Sequence, residues 1–199
     1  MDVGILGTGS VGTALATGLA AAGHDVVVGS RDPESNRIEG VTVVSQRAAA
    51  ERGVVVLALP AGVVVDVARE LRDALAGKPV LDAANEYPTA RGDDSLAERV
   101  ADAAPEARVV KAFNTIGANR MTDPVVAGDP ATMFVAGDDA DAVAAAETLA
   151  ADLGFDPVAA GDLTAAVHLE HLARFWIHLS REYGRDVAVR FLREGDGRT

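Results

Sequence analysis

Residues 3–31 read VGILGTGSVGTALATGLAAAGHDVVVGSR. A short apolar strand leads into the turn Gly7-Thr8-Gly9-Ser10-Val11-Gly12, a run of small residues at helical period follows, and a second strand closes on Gly29-Ser30-Arg31. A chain passing from strand to helix against a pyrophosphate needs each glycine for a different reason. Gly7 permits the tight turn, Gly9 lets the backbone approach the phosphates, and Gly12 lets helix and strand pack closely. The helix then presents its free N–H groups to the anion. Glycine-rich turns alone are a weak signal. Set between VGIL and a helix-period run, with Val26-Val27-Val28 at the spacing of a βαβ unit, this one predicts a dinucleotide site.

The end of the second strand selects the nucleotide. An acid there suits the ribose 2′-hydroxyl of NAD, whereas an arginine beside a small hydroxyl residue suits the 2′-phosphate of NADP. Ser30 and Arg31 hold that place, and a guanidinium can grip a phosphate bidentately, so NADP is expected. Asp32 is also near the spacing of the NAD acid, but it precedes Pro33 and reads as a cap of the next turn.

With 199 residues, 49% of them hydrophobic, the chain has the material for one well-buried α/β domain with a small appendage. No run reaches the roughly 18 to 20 apolar residues of a membrane span. Met1 leads straight into the first strand, so no leader is expected and a cytoplasmic location is predicted. The lack of cysteine excludes disulfides, thiol catalysis and thiolate metal sites. A net charge of −12 with no basic cluster argues against a nucleic-acid surface. Lys78 and Lys111 are the only lysines, and together with abundant Asp, Ala and Val they suggest a GC-rich genome and a salty cytoplasm.

Further along, Asp32 to Gly40 reads as a loop, Val41–Val44 as a third strand and 45–52 as a helix capped by Ser45. Gly53 to Pro60, GVVVLALP, is a continuous apolar run of the kind covered on both faces in a parallel sheet. Its end, Ala58-Leu59-Pro60, falls where doubly wound sheets bind ligands. Val63–Ala76 has helical period, Val80–Ala83 reads as a strand, and the irregular stretch from Ala84 offers Asn85 and Tyr87 as site candidates. A helix over Ser95–Ala103 and a strand over Arg108–Phe113 follow. After that strand, Asn114 and Thr115 offer an amide and a hydroxyl suited to a nicotinamide carboxamide and ribose. Lys111 inside the strand needs a partner if buried: it either holds an acid near the site or only lies at the strand's edge. A loop over Met121–Ala131, a strand over Thr132–Gly137, the helix Ala140–Leu153 capped by Asp138-Asp139, and a strand over Phe155–Ala160 complete seven or eight strands.

From Leu163 the pattern becomes a helix to about Tyr183, then a short terminal helix over Asp186–Leu192. The expected fold is therefore α/β: a Rossmann-type, doubly wound, mostly parallel sheet over residues 1–160, with a short C-terminal helical extension over 161–199. The wide apolar surface of the long helix predicts a homodimer. His168, His171 and His178 share one sector of that helix. Without an acidic partner at ligand spacing they read as interface or pocket-wall histidines and not as a metal site. His24 reads as a turn residue.

The opening GTGSVGTALATGLAAAGHDVVVGSR, the ALP turn and above all VVKAFNTIGANRM resemble the NADP oxidoreductases dependent on coenzyme F420, and the cytosolic domain of the membrane ferric reductases is similar. The terminal GRDVAVRFL resembles the family's last helix. By that resemblance Thr8, Gly9, Ser10 and Val11 bind the pyrophosphate and Ser30 and Arg31 the 2′-phosphate. Leu59, Pro60 and Val64 meet the adjoining ribose and ring, Asn114, Thr115 and Ala118 lie near the nicotinamide, and Val187 closes the deazaflavin pocket. The implied reaction is hydride transfer between NADP(H) and coenzyme F420, with no metal and no indispensable catalytic side chain, because the two rings carry the chemistry. A flavin or ferric reductase, a reductase of small imines or acids, and an NADP-sensing regulator are the rivals. Some 45 residues after the sheet leave little room for the helical substrate domain of an imine reductase.

Overall fold

The computed structural model describes residues 1–87 and 94–194. The chain starts with β1 (Asp2–Leu6), α1 (Ser10–Ala21), β2 (Asp25–Ser30), β3 (Thr42–Ser45), α2 (Gln46–Ala50), β4 (Val54–Leu57), α3 (Ala61–Glu70), α4 (Arg72–Leu75) and β5 (Pro79–Asp82). It continues with α5 (Leu96–Ala103), β6 (Arg108–Lys111), β7 (Val125–Val126), β8 (Asp129–Pro130), β9 (Thr132–Gly137), α6 (Ala140–Asp152), β10 (Asp156–Ala159) and α7 (Ala166–Tyr183). Eight strands form one sheet in the order β10-β9-β6-β5-β4-β1-β2-β3, and β7 and β8 form a separate hairpin. From β3 across to β6 every pairing is parallel; β9 then runs antiparallel to β6 and carries β10 parallel to itself.

The apolar runs are continuous because the sheet is covered on both faces. Alternate residues go opposite ways. Val3, Ile5, Val26, Val28, Val54 and Val56 pack with Leu15 and Leu19 of α1 and Leu149 of α6. Leu6, Val27, Val55 and Leu57 pack with Val64 of α3, Leu75 of α4 and Leu96 and Val100 of α5 on the other face. This is the doubly wound, Rossmann-like α/β arrangement expected. The chain leaves β1 toward β2 in one direction and continues from β4 in the other, which opens a crevice at the carboxyl rim between them.

Several boundaries differ from the sequence reading. The helix expected over Val63–Ala76 starts at Ala61 and breaks at Leu71 into α3 and α4. The stretch Met121–Ala131 is not a plain loop but contains the β7-β8 hairpin, whose two central residues, Ala127 (φ 54°) and Gly128 (φ 88°), take the left-handed conformations that suit a two-residue hairpin turn. Of the two expected caps of α6, Asp139 accepts from Ala142 N–H, whereas Asp138 accepts from Leu163 N–H and ties the next segment down.

The short terminal helix over Asp186–Leu192 does not form. Gly184 ends α7 at φ 82°, and the described tail after it is irregular and bonded to the start of β9 and to α7. Thr132 N–H donates to Val189 O (2.9 Å), Phe191 N–H donates to Thr132 Oγ1 (2.9 Å), and Trp176 Nε1 donates to Val187 O (2.8 Å). Val187, Val189 and Phe191 recur at period two, and partners on β9 and α7 satisfy backbone groups that a helix would have paired internally.

Candidate functional site

The glycine turn sits where β1 meets α1, and each glycine's place follows from what a side chain would strike. Gly7 has φ +124°, and a Cβ there would lie 2.2 Å from Ala58 O. At Gly12 a Cβ would lie 2.1 Å from Gly7 O, so helix and turn touch backbone to backbone. At Gly9 a Cβ would meet nothing within 4 Å, so the only thing a side chain would displace there is whatever occupies the cleft. Gly9 is also the N-cap of α1, with no side-chain cap and no acid in the first turn. The first N–H groups of that helix are free for an external anion.

A cleft of about 680 Å³ runs along the carboxyl rim from this turn. Gly7, Thr8, Gly9, Ser10 and Val11 line its middle, together with Ala58, Leu59 and Pro60 at the end of β4. Gly29, Ser30, Arg31, Asp32, Asn36 and Gln46 line one end, and Ala83, Ala84 and Asn85 the other. The two ends are three strand spacings apart, β2 to β1 to β4 to β5, or roughly 14 Å. Arg31 is exposed and has no ion-pair partner among the described residues. Beside it, Ser30 Oγ accepts from Asp32 N–H (3.0 Å) and from Asn36 Nδ2 (3.0 Å). The turn after β2 is thus capped by Ser30 and not, as expected, by the Asp32 side chain.

At the opposite end, Lys111 is fully buried between two carboxylates. Its Nζ donates to Asp82 Oδ2 (2.7 Å), Glu170 Oε1 (2.8 Å) and the carbonyl of Ala84 (2.6 Å). Of the two readings left open, the one in which Lys111 holds an acid beside the site is therefore the one the fold adopts. Asp82 Oδ1 accepts from Ala84 N–H (3.0 Å), so both backbone groups of Ala84 are held. Phe113 turns the chain at φ 58° just past β6 and brings Asn114 against Asn85. Asn85 Nδ2 donates to Asn114 O (2.7 Å), and Asn114 Nδ2 donates to Asn85 Oδ1 (3.0 Å) and Leu169 O (3.1 Å). Among the described residues Asn114 Oδ1 and Thr115 Oγ1 have no hydrogen-bond partner; both are buried, and neither residue is in the lining of the cleft.

Other expected residues stand apart. Gly12 shapes the turn from behind, and Val64 is fully buried in the core beneath α3. Ala118 opens a 3₁₀ turn over Ala118–Arg120 that is joined to the tail by Asn119 and Arg120 bonding Asp186, so Ala118 and Val187 lie beyond β6 and outside the cleft. Asn85 lines the cleft, while Tyr87 points out under the Arg181 guanidinium. His168, His171 and His178 are exposed on α7, and among the described residues no cluster of three such groups could hold a metal. Most of the apolar surface of α7 turns inward through Leu169, Ala173 and Trp176, leaving Phe175 outside, stacked on His178. His24 lies in the turn between α1 and β2 as expected. Sequence reasoning passed over Asn36, Gln46, Ala83, Ala84 and Glu170; only Asp82, an acid inside an apolar strand, carried a readable signal.

A family model for coenzyme F420-dependent NADP oxidoreductases matches residues 2–86, which carry the glycine turn, Ser30-Arg31 and the β4 and β5 ends. A solved structure from Arthrobacter sp. FB24, assigned as an F420-dependent NADP-reductase, superposes with a TM-score of 0.89 at 33% identity, covering 97% of this chain and 100% of that one. The chain belongs to this family. It is an NADP-dependent oxidoreductase with the Rossmann-type fold of its relatives. The F420-dependent NADP reductase of Methanothermobacter marburgensis is 29% identical over 172 residues, 72% of this chain and 75% of that protein. The rat metalloreductase STEAP3 is 40% identical over 126 residues, 58% of this chain, and the match spans a quarter (25%) of that longer protein. Among the described residues no helix is long and apolar enough to cross a membrane.

Proposed function

We propose that this family member passes a hydride between NADP(H) and the deazaflavin coenzyme F420, supplied from solution as the second substrate. The observation that carries the reading is the cleft: an anion-binding turn in its middle, a free arginine beside a hydroxyl at one end, and a small, uncharged wall at the other. The glycine turn and the N-terminus of α1 hold the pyrophosphate, while Ser30 and Arg31 hold the 2′-phosphate. Asn85 lines that end of the cleft, and its amide suits the carboxamide of a nicotinamide, which both donates and accepts hydrogen bonds, while the buried Asn114 behind it fixes the orientation of that amide. Ala83 and Ala84 leave the wall flat, so a ring can lie against them with its other face open.

The bound nicotinamide supplies the hydride chemistry. Orientation and exclusion of water are left to the protein, and among the described residues the β5 end of the cleft carries no acid or base in its lining. Mixing the protein with NADPH and oxidised coenzyme F420 is expected to bleach the deazaflavin's visible absorption. A second reading, an NADPH-dependent flavin or ferric reductase, is favoured by the likeness to the rat metalloreductase. Turnover of free FMN or FAD without bleaching of F420 would establish it instead, and tight NADPH binding with reduction of neither acceptor would point to a sensor.

A further inference from the structure

We infer that Asn36 sets the preference for the 2′-phosphorylated nucleotide by forcing the Ser30 hydroxyl to act as a hydrogen-bond donor. The inference rests on the reading that NADP(H) lies with its 2′-phosphate at Ser30 and Arg31. A serine hydroxyl has one proton to give and two lone pairs to receive. Both lone pairs of Ser30 are taken, one by Asp32 N–H and one by Asn36 Nδ2. No acceptor for its proton exists among the described residues, and Ser30 is 7% exposed on the wall of the cleft. The proton is left to point at the cleft, where an anion is its natural partner.

The orientation of the Asn36 amide is fixed by chemistry. The atom 2.7 Å from the Asp32 carbonyl must be the nitrogen, because a carbonyl only accepts, and the same nitrogen's second hydrogen goes to Ser30. Asn36 also pins the backbone of Asp32, the one acid among the described residues that line this cleft, through that carbonyl. Asn36 is thus a positioning residue. It reaches the phosphate through Ser30, and its loss would free the hydroxyl to turn its proton elsewhere.

Dissociation constants for NADPH and NADH, read from nicotinamide fluorescence, test this without any acceptor. Asn36→Leu is expected to weaken NADPH about tenfold, near the worth of one charge-assisted hydrogen bond, while NADH changes by less than about twofold. Asn36→Asp should weaken NADPH further than Asn36→Leu, because a carboxylate draws the Ser30 proton to itself and repels the phosphate. In a Ser30→Ala background, Asn36→Leu should add no further loss, since both changes remove one interaction. An equal loss for both nucleotides, undiminished NADPH affinity in Asn36→Leu, or additive losses in the double variant would overturn the inference. A wild-type protein that binds NADPH no tighter than NADH would remove the reading of the site itself, and the inference with it.

Discussion

Two glycines only three residues apart do opposite work. The space around Gly9 is empty of protein and the space around Gly12 is filled by the Gly7 carbonyl. Alanine at position 9 therefore costs the fold little beyond the preference of an N-cap for glycine over alanine, roughly 1 kcal/mol, or about 2–4 °C in Tm for a chain this long. The same methyl stands where the backbone must approach a pyrophosphate. Gly9→Ala is expected to leave Tm near wild type without ligand and to abolish most of the rise in Tm that NADPH gives the wild type. Gly12→Ala is expected to lower Tm with or without NADPH, because a Cβ 2.1 Å from an oxygen forces the helix off the turn, an overpacking cost of about 1–3 kcal/mol or more. Thermal shift with and without NADPH separates the two. A stable Gly9→Ala variant with an undiminished NADPH shift would mean that nothing approaches the turn as closely as its geometry permits.

Among the elements, β5, β6 and α7 meet at one buried ammonium. Asp82 ends β5, Lys111 ends β6 and Glu170 comes from α7, whose carboxylate also accepts from Leu96 N–H at the start of α5. Removing the cation would leave two buried carboxylates with no counter-charge, each keeping only a backbone N–H donor. Lys111→Met is expected to cost about 3–5 kcal/mol, a fall in Tm on the order of 10 °C. The triple variant Asp82→Asn, Lys111→Met, Glu170→Gln keeps the shapes without the charges and is expected to recover a good part of the loss, as replaced buried ion pairs commonly do. Scanning calorimetry of the two decides it: a Lys111→Met variant as stable as the wild type would show that the network does not join these elements. The network also marks how far the sequence could be read. Lys111 could be seen to need a partner, but its two acids were not named: Asp82 is set within an apolar strand, and Glu170 lies 59 residues away with nothing local to point its side chain inward. The glycine turn, the Val-rich strands and the helix that follows Ser95 were legible because each is written in neighbouring residues. The tail was not: Asp-Val-Ala-Val-Arg-Phe-Leu fits a helix when read alone, and only bonds to Thr132 and Trp176, formed in the folded chain, hold it out of one.

For the whole molecule, charge is the dominant global term. Thirty acids face eighteen lysines and arginines, so twelve carboxylates stay uncompensated even if every basic side chain is paired. Several of the pairs present are surface contacts, such as Arg69 with Asp66 and Arg72 with Asp73. Each is worth about 0–1 kcal/mol, and salt weakens it. Salt also screens the repulsion among the excess carboxylates, which the compact state feels more than the expanded unfolded chain. The two effects have opposite signs, and the excess of acids makes the second larger. As the Debye length falls from about 30 Å at 0.01 M to about 3 Å at 1 M, Tm of the ligand-free protein in potassium chloride is expected to rise by roughly 5 °C, about 2 kcal/mol at this size. The nucleotide must be left out, because the contact between Arg31 and a phosphate weakens with salt and would mask the rise. Neutralising exposed acids that have no ion pair among the described residues and lie away from the cleft, for instance Glu70→Gln with Glu182→Gln, should shrink the slope of Tm against salt in proportion to the charge removed. A Tm that falls with salt would mean that the ion pairs outweigh the repulsion and that the acidic surface is no adaptation to a salty interior.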